Sequence, residues 1–208
     1  MNIRRFQLGM LGTNCYLAWP EDSDEAIIVD PADCTTHLLD EIAKNKLNIK
    51  YLILTHGHYD HISGIEQLME KFPEAKLVAG KDEIDVLSNP NLNHSTMMFG
   101  RPIELTPNIL VSDNDIIKLG DIELKIIATP GHSKGGISIY VENLLFSGDT
   151  LFQMSIGRTD LEGGDFPTLE KSIKEKLYVL PDETVVLPGH TDVTSIEFEK
   201  KYNPFVKG

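Results

Sequence analysis

Short runs of consecutive apolar residues alternate along the chain with stretches in which apolar positions recur every three or four residues. The runs Cys15–Trp19, Ala26–Val29, Tyr51–Leu54, Leu77–Ala79, Ile122–Ala128, Ile137–Val141, Leu144–Phe146 and Thr184–Leu187 are strand-length and rich in β-branched or aliphatic side chains, which predicts β-strands. Thr36–Lys46, Ser63–Phe72, Lys81–Ser88 and Pro167–Leu177 carry apolar residues on one helical face and charges on the other, which predicts helices. Ser63-Gly64-Ile65-Glu66 has capping-box spacing and predicts a helix start at Ser63. The stretch from Asn89 to Asn108 has no clear period and reads as a long surface loop, with Met97-Met98-Phe99 as a packed apolar clasp. No repeat interrupts this order, so the architecture is mixed α and β over one domain, residues 1–208.

That chain length is enough to bury a sizeable core without disulfides. The net charge of −13 repels phosphate backbones and anionic lipid, and no basic stretch offsets it, so neither nucleic acid nor membrane is an expected partner. There is no signal-peptide pattern and no apolar run of membrane-spanning length. Cys15 and Cys34, the only cysteines, are too isolated for a disulfide framework or a thiolate metal site and suit a reducing cytoplasm.

The histidines carry the chemical signal. Five of the seven fall in glycine-containing turns directly after predicted strands: Thr55-His56-Gly57-His58-Tyr59-Asp60-His61, Thr129-Pro130-Gly131-His132 and Pro188-Gly189-His190. A fourth such turn, Ser147-Gly148-Asp149, supplies a carboxylate. Loops at strand ends converge to form sites, so the four turns are expected to meet at one pocket. Imidazole and carboxylate are the donors Zn²⁺ takes when thiolates are absent. In an extended segment His56 and His58 face the same side and can grip one ion, whereas Asp60 and His61 point elsewhere. With His132, His190 and a shared Asp149 there are seven donors, enough for two ions. Fewer than about one shuffled sequence in a thousand would contain the His-x-His-x-Asp-His string. His37 and His94 have no visible partner and are not expected to take part.

The string at His56, His58, Asp60 and His61 resembles the signature of the metallo-β-lactamase superfamily, and His132, Asp149 and His190 match its later ligands. Leu11-Gly12-Thr13-Asn14-Cys15-Tyr16, Gly148-Asp149-Thr150-Leu151-Phe152 and Ser155-Ile156-Gly157-Arg158-Thr159-Asp160 are similar to the glyoxalase II (hydroxyacylglutathione hydrolase) group in its short form. The resemblance implies a four-layer αββα sandwich. It implies a first metal on His56, His58 and His132, a second on Asp60, His61 and His190, and Asp149 between them. The cofactor implied is a pair of Zn²⁺ ions, with Fe or Mn able to take the same donors.

The implied activity is zinc-dependent hydrolysis of a small-molecule thioester, S-D-lactoylglutathione or a related acyl thioester, through a metal-bridging hydroxide oriented by Asp60. A thioester suits such a site because its leaving thiol, with a pKa near about 8.5, departs as thiolate with little help from an acid. Arg158, with Lys134 beside His132, would draw in an anionic acyl thiol. Long-form members carry a C-terminal helical domain that has no counterpart in this sequence, and aromatics where Asp160 stands. A Gly-Arg-Thr-Asp string also occurs in mononuclear-iron persulfide dioxygenases of the superfamily, so the alternative expectation is sulfur oxidation, or hydrolysis of another small molecule as elsewhere in the superfamily.

Overall fold

The strand Thr13–Trp19 is buried at all seven positions, so both of its faces need an apolar partner, and the same holds for most of the central strands. The computed structural model describes residues 1–208. Its first half runs β1 (Asn2–Leu8), β2 (Thr13–Trp19), β3 (Glu25–Val29), α1 (Thr36–Lys44), β4 (Asn48–Ile53), α2 (Tyr59–Ile62), α3 (Ile65–Lys71), β5 (Lys76–Gly80), α4 (Ile84–Leu87), α5 (Ser95–Phe99) and β6 (Ile109–Val111). The second half runs β7 (Ile116–Leu119), β8 (Ile122–Ala128), β9 (Ile137–Val141), β10 (Leu144–Gly148), β11 (Leu151–Phe152), β12 (Ser155–Ile156), α6 (Phe166–Ser172), β13 (Val185–Pro188), β14 (Thr194–Ser195) and α7 (Ile196–Tyr202).

Two six-stranded mixed sheets result, ordered β1-β2-β3-β4-β5-β6 and β14-β13-β10-β9-β8-β7, with β11-β12 as a separate hairpin. Alternation along each strand divides its side chains between two cores. Leu17, Ile28, Leu52 and Leu77 pack outward on Leu38 and Ile42 of α1 and on Ile65 and Leu68 of α3. Tyr16, Ile27, Ile53 and Val78 face the other way and meet Leu124, Ile126, Ile139 and Phe146 of the second sheet. Leu145 and Val186 then pack under Leu169 of α6 and Ile196 of α7. Three cores between four layers make the αββα sandwich that the sequence resemblance implies. No helix is long and apolar enough to cross a membrane.

Several local expectations are corrected. Ser63 does not start a helix: it is the C-cap of α2 in right-handed helical conformation, and its hydroxyl donates back to the Tyr59 carbonyl. The long helix expected from Ser63 begins at Ile65 instead, and the Glu66 carboxylate reaches Arg101 rather than its own helix end. The Asn89–Asn108 stretch contains α5 and is pinned to the core. There Asn93, Ser95 and Ile103 are buried, Asn93 Nδ2 donates to the Ile103 carbonyl, and Ile103 N donates to Ser95 Oγ. Helix-like periodicity over Lys81–Ser88 and Pro167–Leu177 is realised as a 3₁₀ turn leading into α4 and as α6 ending in a π-turn, Ile173–Leu177. β1 escapes the pattern because Arg4 and Arg5 stand exposed on this edge strand while Phe6 and Leu8 point inward.

Phe146 lies fully buried between the sheets with its ring 5.4 Å from that of Tyr16. Phe146→Ala is expected to cost about 3–5 kcal/mol in urea unfolding, against less than about 0.5 kcal/mol for the exposed Phe205→Ala.

Candidate metal centre

The four ligand-bearing turns all leave the same edge of the sandwich, each after a strand of the two large sheets. His56 and His58 follow β4, His132 follows β8, Asp149 follows β10 and His190 follows β13. The β10–β13 pairing shifts register between Phe146 and Gly148, and this irregularity turns the chain toward Asp149. Gly189 is required by close approach: a Cβ there would stand 2.3 Å from Asp149 Oδ1 and 2.7 Å from His61 Cε1.

His56, His58 and His132 bring one donor nitrogen each to a common point. His58 Nδ1 is 2.9 Å and His56 Nε2 is 3.2 Å from His132 Nε2. Their outer contacts fix the tautomers of two rings. His132 Nδ1 lies 2.7 Å from the Arg158 carbonyl oxygen, which can only accept, so the proton is on Nδ1 and Nε2 presents a lone pair. The Thr55 hydroxyl donates to Asp30 Oδ2 at 2.7 Å and therefore accepts from His56 Nδ1 at 3.1 Å, which leaves His56 Nε2 bare as well. Two inward lone pairs 3.2 Å apart repel unless a cation lies between them. Donors around a tetrahedral Zn²⁺ at about 2.0–2.1 Å stand roughly 3.3 Å from one another, so the spacing fits. Burial, and then the crowd of neighbouring imidazoles, hold His56 well below the usual histidine range; burial followed by His132 brings His58 down to about 3. Both rings are neutral donors.

Asp60, His61 and His190 gather on the other side, as the helical turn of α2 requires. His190 Nε2 is 3.2 Å from Asp60 Oδ2, and His61 Nε2 is 3.5 Å from the same oxygen. Asp149 lies between the sets, with Oδ1 3.3 Å from His61 Nε2 and Oδ2 3.5 and 3.6 Å from His190 and His132 Nε2. Asp149 Oδ1 and both His61 ring nitrogens are buried without an aligned hydrogen bond. Such a knot of unsatisfied donors and acceptors is the chemistry of a cation site. Burial would raise the Asp149 carboxyl, but His61 outweighs it and holds it low. Burial likewise opposes ionisation of Asp60, and His61 and His190, with the Thr13 hydroxyl at 3.0 Å, overcome it.

Residues to which the sequence pattern gave no role at the metals hold these donors. Asp30 accepts from Thr55 N at 2.8 Å and places Oδ2 2.9 Å from His61 Nδ1. Glu83 is fully buried and accepts from Gly57 N at 2.9 Å and from Gly135 N at 2.7 Å, so one carboxylate ties the His56–His58 turn to the His132 turn. Asn14 Nδ2 donates to the Pro188 and Thr191 carbonyls, and Tyr16 Oη to the Pro188 carbonyl. The Thr13-Asn14-Cys15-Tyr16 strand thereby holds both Asp60 and the His190 turn, while Cys15 itself is core. A lone buried acid such as Glu83 gives no sequence signal, because its partners are backbone amides.

The donors floor a cavity of about 530 Å³, walled by Leu11, Met97, Met98, Phe152, Ile156 and Leu161. Arg158 lines its rim, but Nε and Nη2 are both engaged by Asp160, at 2.7 and 2.8 Å. Lys134 is not among the lining residues and borders a separate depression. His94, not expected to take part, forms part of the wall, its ring centroid 5.7 Å from that of His58. Its left-handed backbone at φ 63° is a conformation that sequence patterns do not reveal. Of the expected clasp only Phe99 packs inward, against Tyr59; Met97 and Met98 stand exposed at the rim.

The metallo-beta-lactamase superfamily profile matches residues 8–190. The chain belongs to that superfamily. Among superfamily relatives, it is 37% identical to "Probable metallo-hydrolase YqgX" of Bacillus subtilis over 100% of this chain and 99% of that one. It is 36% identical to "Hydroxyacylglutathione hydrolase GloC" of Haemophilus influenzae over 99% and 98%. In the solved structures, BLEG-1 B3 metallo-beta-lactamase superposes with a TM-score of 0.92 at 36% identity, covering 100% of both chains. ETHE1 from Myxococcus xanthus gives 0.83 at 30%, covering 98% of this chain and 84% of that one. A further neighbour, solved in a di-iron-bound form, gives 0.85 at 29%, covering 98% and 100%. The chain is thus a superfamily metallo-hydrolase whose histidine and aspartate cluster fits a dinuclear metal site.

Two outcomes follow from the geometry. Removing bound metal with a chelator is expected to lower Tm by about 5–10 °C, because ligand at 100 times Kd contributes about 2.7 kcal/mol to the folded state. Glu83→Gln puts an amide donor against a backbone N–H and is expected to weaken metal retention about 10–100-fold, read by chelator competition with far-UV circular dichroism unchanged.

Proposed function

We propose that the protein is a dinuclear metal-dependent hydrolase of a small-molecule acyl thioester, of the hydroxyacylglutathione hydrolase kind. The observation that carries this reading is the pair of donor sets joined at Asp149 and opening onto one cavity. The GloC relative, similar along almost its whole length, supports it. Zn²⁺ is the proposed metal, on His56, His58 and His132 and on Asp60, His61 and His190, with Asp149 shared; the di-iron neighbour makes iron the competing occupant.

When bound, the ions supply water acidified toward a pKa of about 7 and polarisation of the substrate carbonyl. The protein's own groups do the rest. Asp60 is held ionised chiefly by His61 and His190 and is aimed by the Thr13 hydroxyl, which suits it to orient the attacking water as the catalytic carboxylate. Tyr59, buried behind it with its hydroxyl raised by burial and by Asp60, is no ready proton source. A thiolate leaving group has no need of one. Arg158 stands where it can meet the substrate at the rim, provided Asp160 gives up its two hydrogen bonds.

The test is elemental analysis followed by a panel of acyl thioesters, a β-lactam, and glutathione persulfide with an oxygen electrode. About two transition-metal ions per chain and thioester turnover are expected. A single retained iron with oxygen uptake would replace hydrolysis by the dioxygenase alternative. Asp149→Ala is expected to lower kcat by more than about 100-fold and by more than His190→Ala does, since only Asp149 reaches both sets. Asp60→Asn should keep at least one ion yet cut turnover.

A further inference from the structure

The cavity above the donors says more about the substrate than the donors do. Its floor is polar, but six of its wall residues are aliphatic, aromatic or thioether: Leu11, Met97, Met98, Phe152, Ile156 and Leu161. Leu11 is 53% and Met97 73% exposed, a costly way to leave large apolar side chains unless something covers them. Methionine at a rim adapts its shape to ligands of different length. The polar groups in the walls offer no free charge. The Nε and Nη2 donors of Arg158 are held by Asp160, and Tyr59 Oη and His94 Nε2 are single hydrogen-bonding atoms left unpaired beside the apolar walls. At about 530 Å³ the cavity has room for on the order of ten water-sized groups, far more than an acetyl group fills. A chain of net charge −13 adds no attraction for a multiply charged anionic thiol.

Resting on the thioester reading, we infer that the substrate carries an uncharged aliphatic arm on the acyl or the thiol side of its thioester group, seated against these six residues, and that its preference is set by that arm rather than by recognition of an anionic thiol such as glutathione. Two series of thioesters separate the two ends of the molecule: acetyl to octanoyl on one uncharged thiol, and one acetyl group on thiols of increasing alkyl length. In one series kcat/KM is expected to rise about two- to fourfold per methylene until the cavity fills. In the double variant Met97→Ala/Met98→Ala the hexanoyl-to-acetyl ratio, or its thiol-side equivalent, should fall about fivefold. Asp160→Ala frees the Arg158 fork and should raise the ratio of carboxylate-bearing to neutral thioesters about threefold to tenfold.

Calorimetric titration of acetate, butyrate, hexanoate and octanoate into metal-loaded protein keeps the inference independent of turnover. Tighter binding with chain length and no hydrolysis of any thioester would uphold the apolar arm and sink the thioesterase reading. Flat responses in both thioester series and in the titration would overturn the inference. So would a glutathione thioester outperforming every aliphatic ester of an uncharged thiol.

Discussion

Seven imidazole and carboxylate groups able to serve as metal donors are packed within a few ångströms of one another at one edge of the sandwich, and this crowding is the constraint on which the site depends. Two neutral imidazole nitrogens 3.2 Å apart and carboxylates beside them would normally spread apart or protonate. The fold prevents the spreading. The four turns leave the two sheets at fixed strand ends, and buried hydrogen bonds that have nothing to do with a cation hold them there. A metal pair is the neutralising partner that such preorganisation anticipates, so folding and metal binding share one free energy.

The holding network divides into two buried acids and one strand. Glu83 joins the first histidine turn to the His132 turn across the two sheets through two backbone amides. Asp30 reaches His61 and Thr55, and Thr55 in turn sets the His56 tautomer. The strand Thr13–Trp19 is buried on every residue, yet its start supplies Thr13 to Asp60 and Asn14 and Tyr16 to the His190 turn. Phe146, packed on Tyr16, couples this strand to the inter-sheet core. Core packing and ligand geometry are therefore one mechanical system: loosening the sheets displaces the His190 turn.

What the sequence made legible follows from local physics. Strands buried on both faces leave unbroken apolar runs, and His56, His58, Asp60 and His61 are neighbours in the chain, so both could be read directly. Asp30 and Glu83 could not, because their partners are backbone amides and a histidine 31 residues away, and a single acid has no spacing to recognise. The capping box at Ser63 misled because its local pattern competes with a tertiary demand: α2 must turn immediately after His58 to swing Asp60 and His61 toward the second donor set. The Ser63 hydroxyl consequently serves the end of α2. The 89–108 stretch looked structureless because its order comes from single polar residues, Asn93 and Ser95, closing a loop on themselves and on Ile103.

That stretch also explains how the superfamily's common metal edge acquires an individual substrate face. The donors belong to turns fixed by the sheets and cannot vary without losing the ions. The walls come instead from Met97 and Met98 on α5, Leu11 on the β1–β2 turn, Phe152 and Ile156 on the small hairpin, and Leu161 beyond it. These lie on elements outside the two large sheets, anchored by a few hydrogen bonds, and can change without disturbing the chemistry below. The Tyr59 amide, hydrogen-bonded to the Asn93 carbonyl at 2.9 Å, is the one backbone link between α5's loop and the metal-binding helix α2. In the proposed hydrolase, reaction type is set at the strand ends and substrate choice by the segments laid over them.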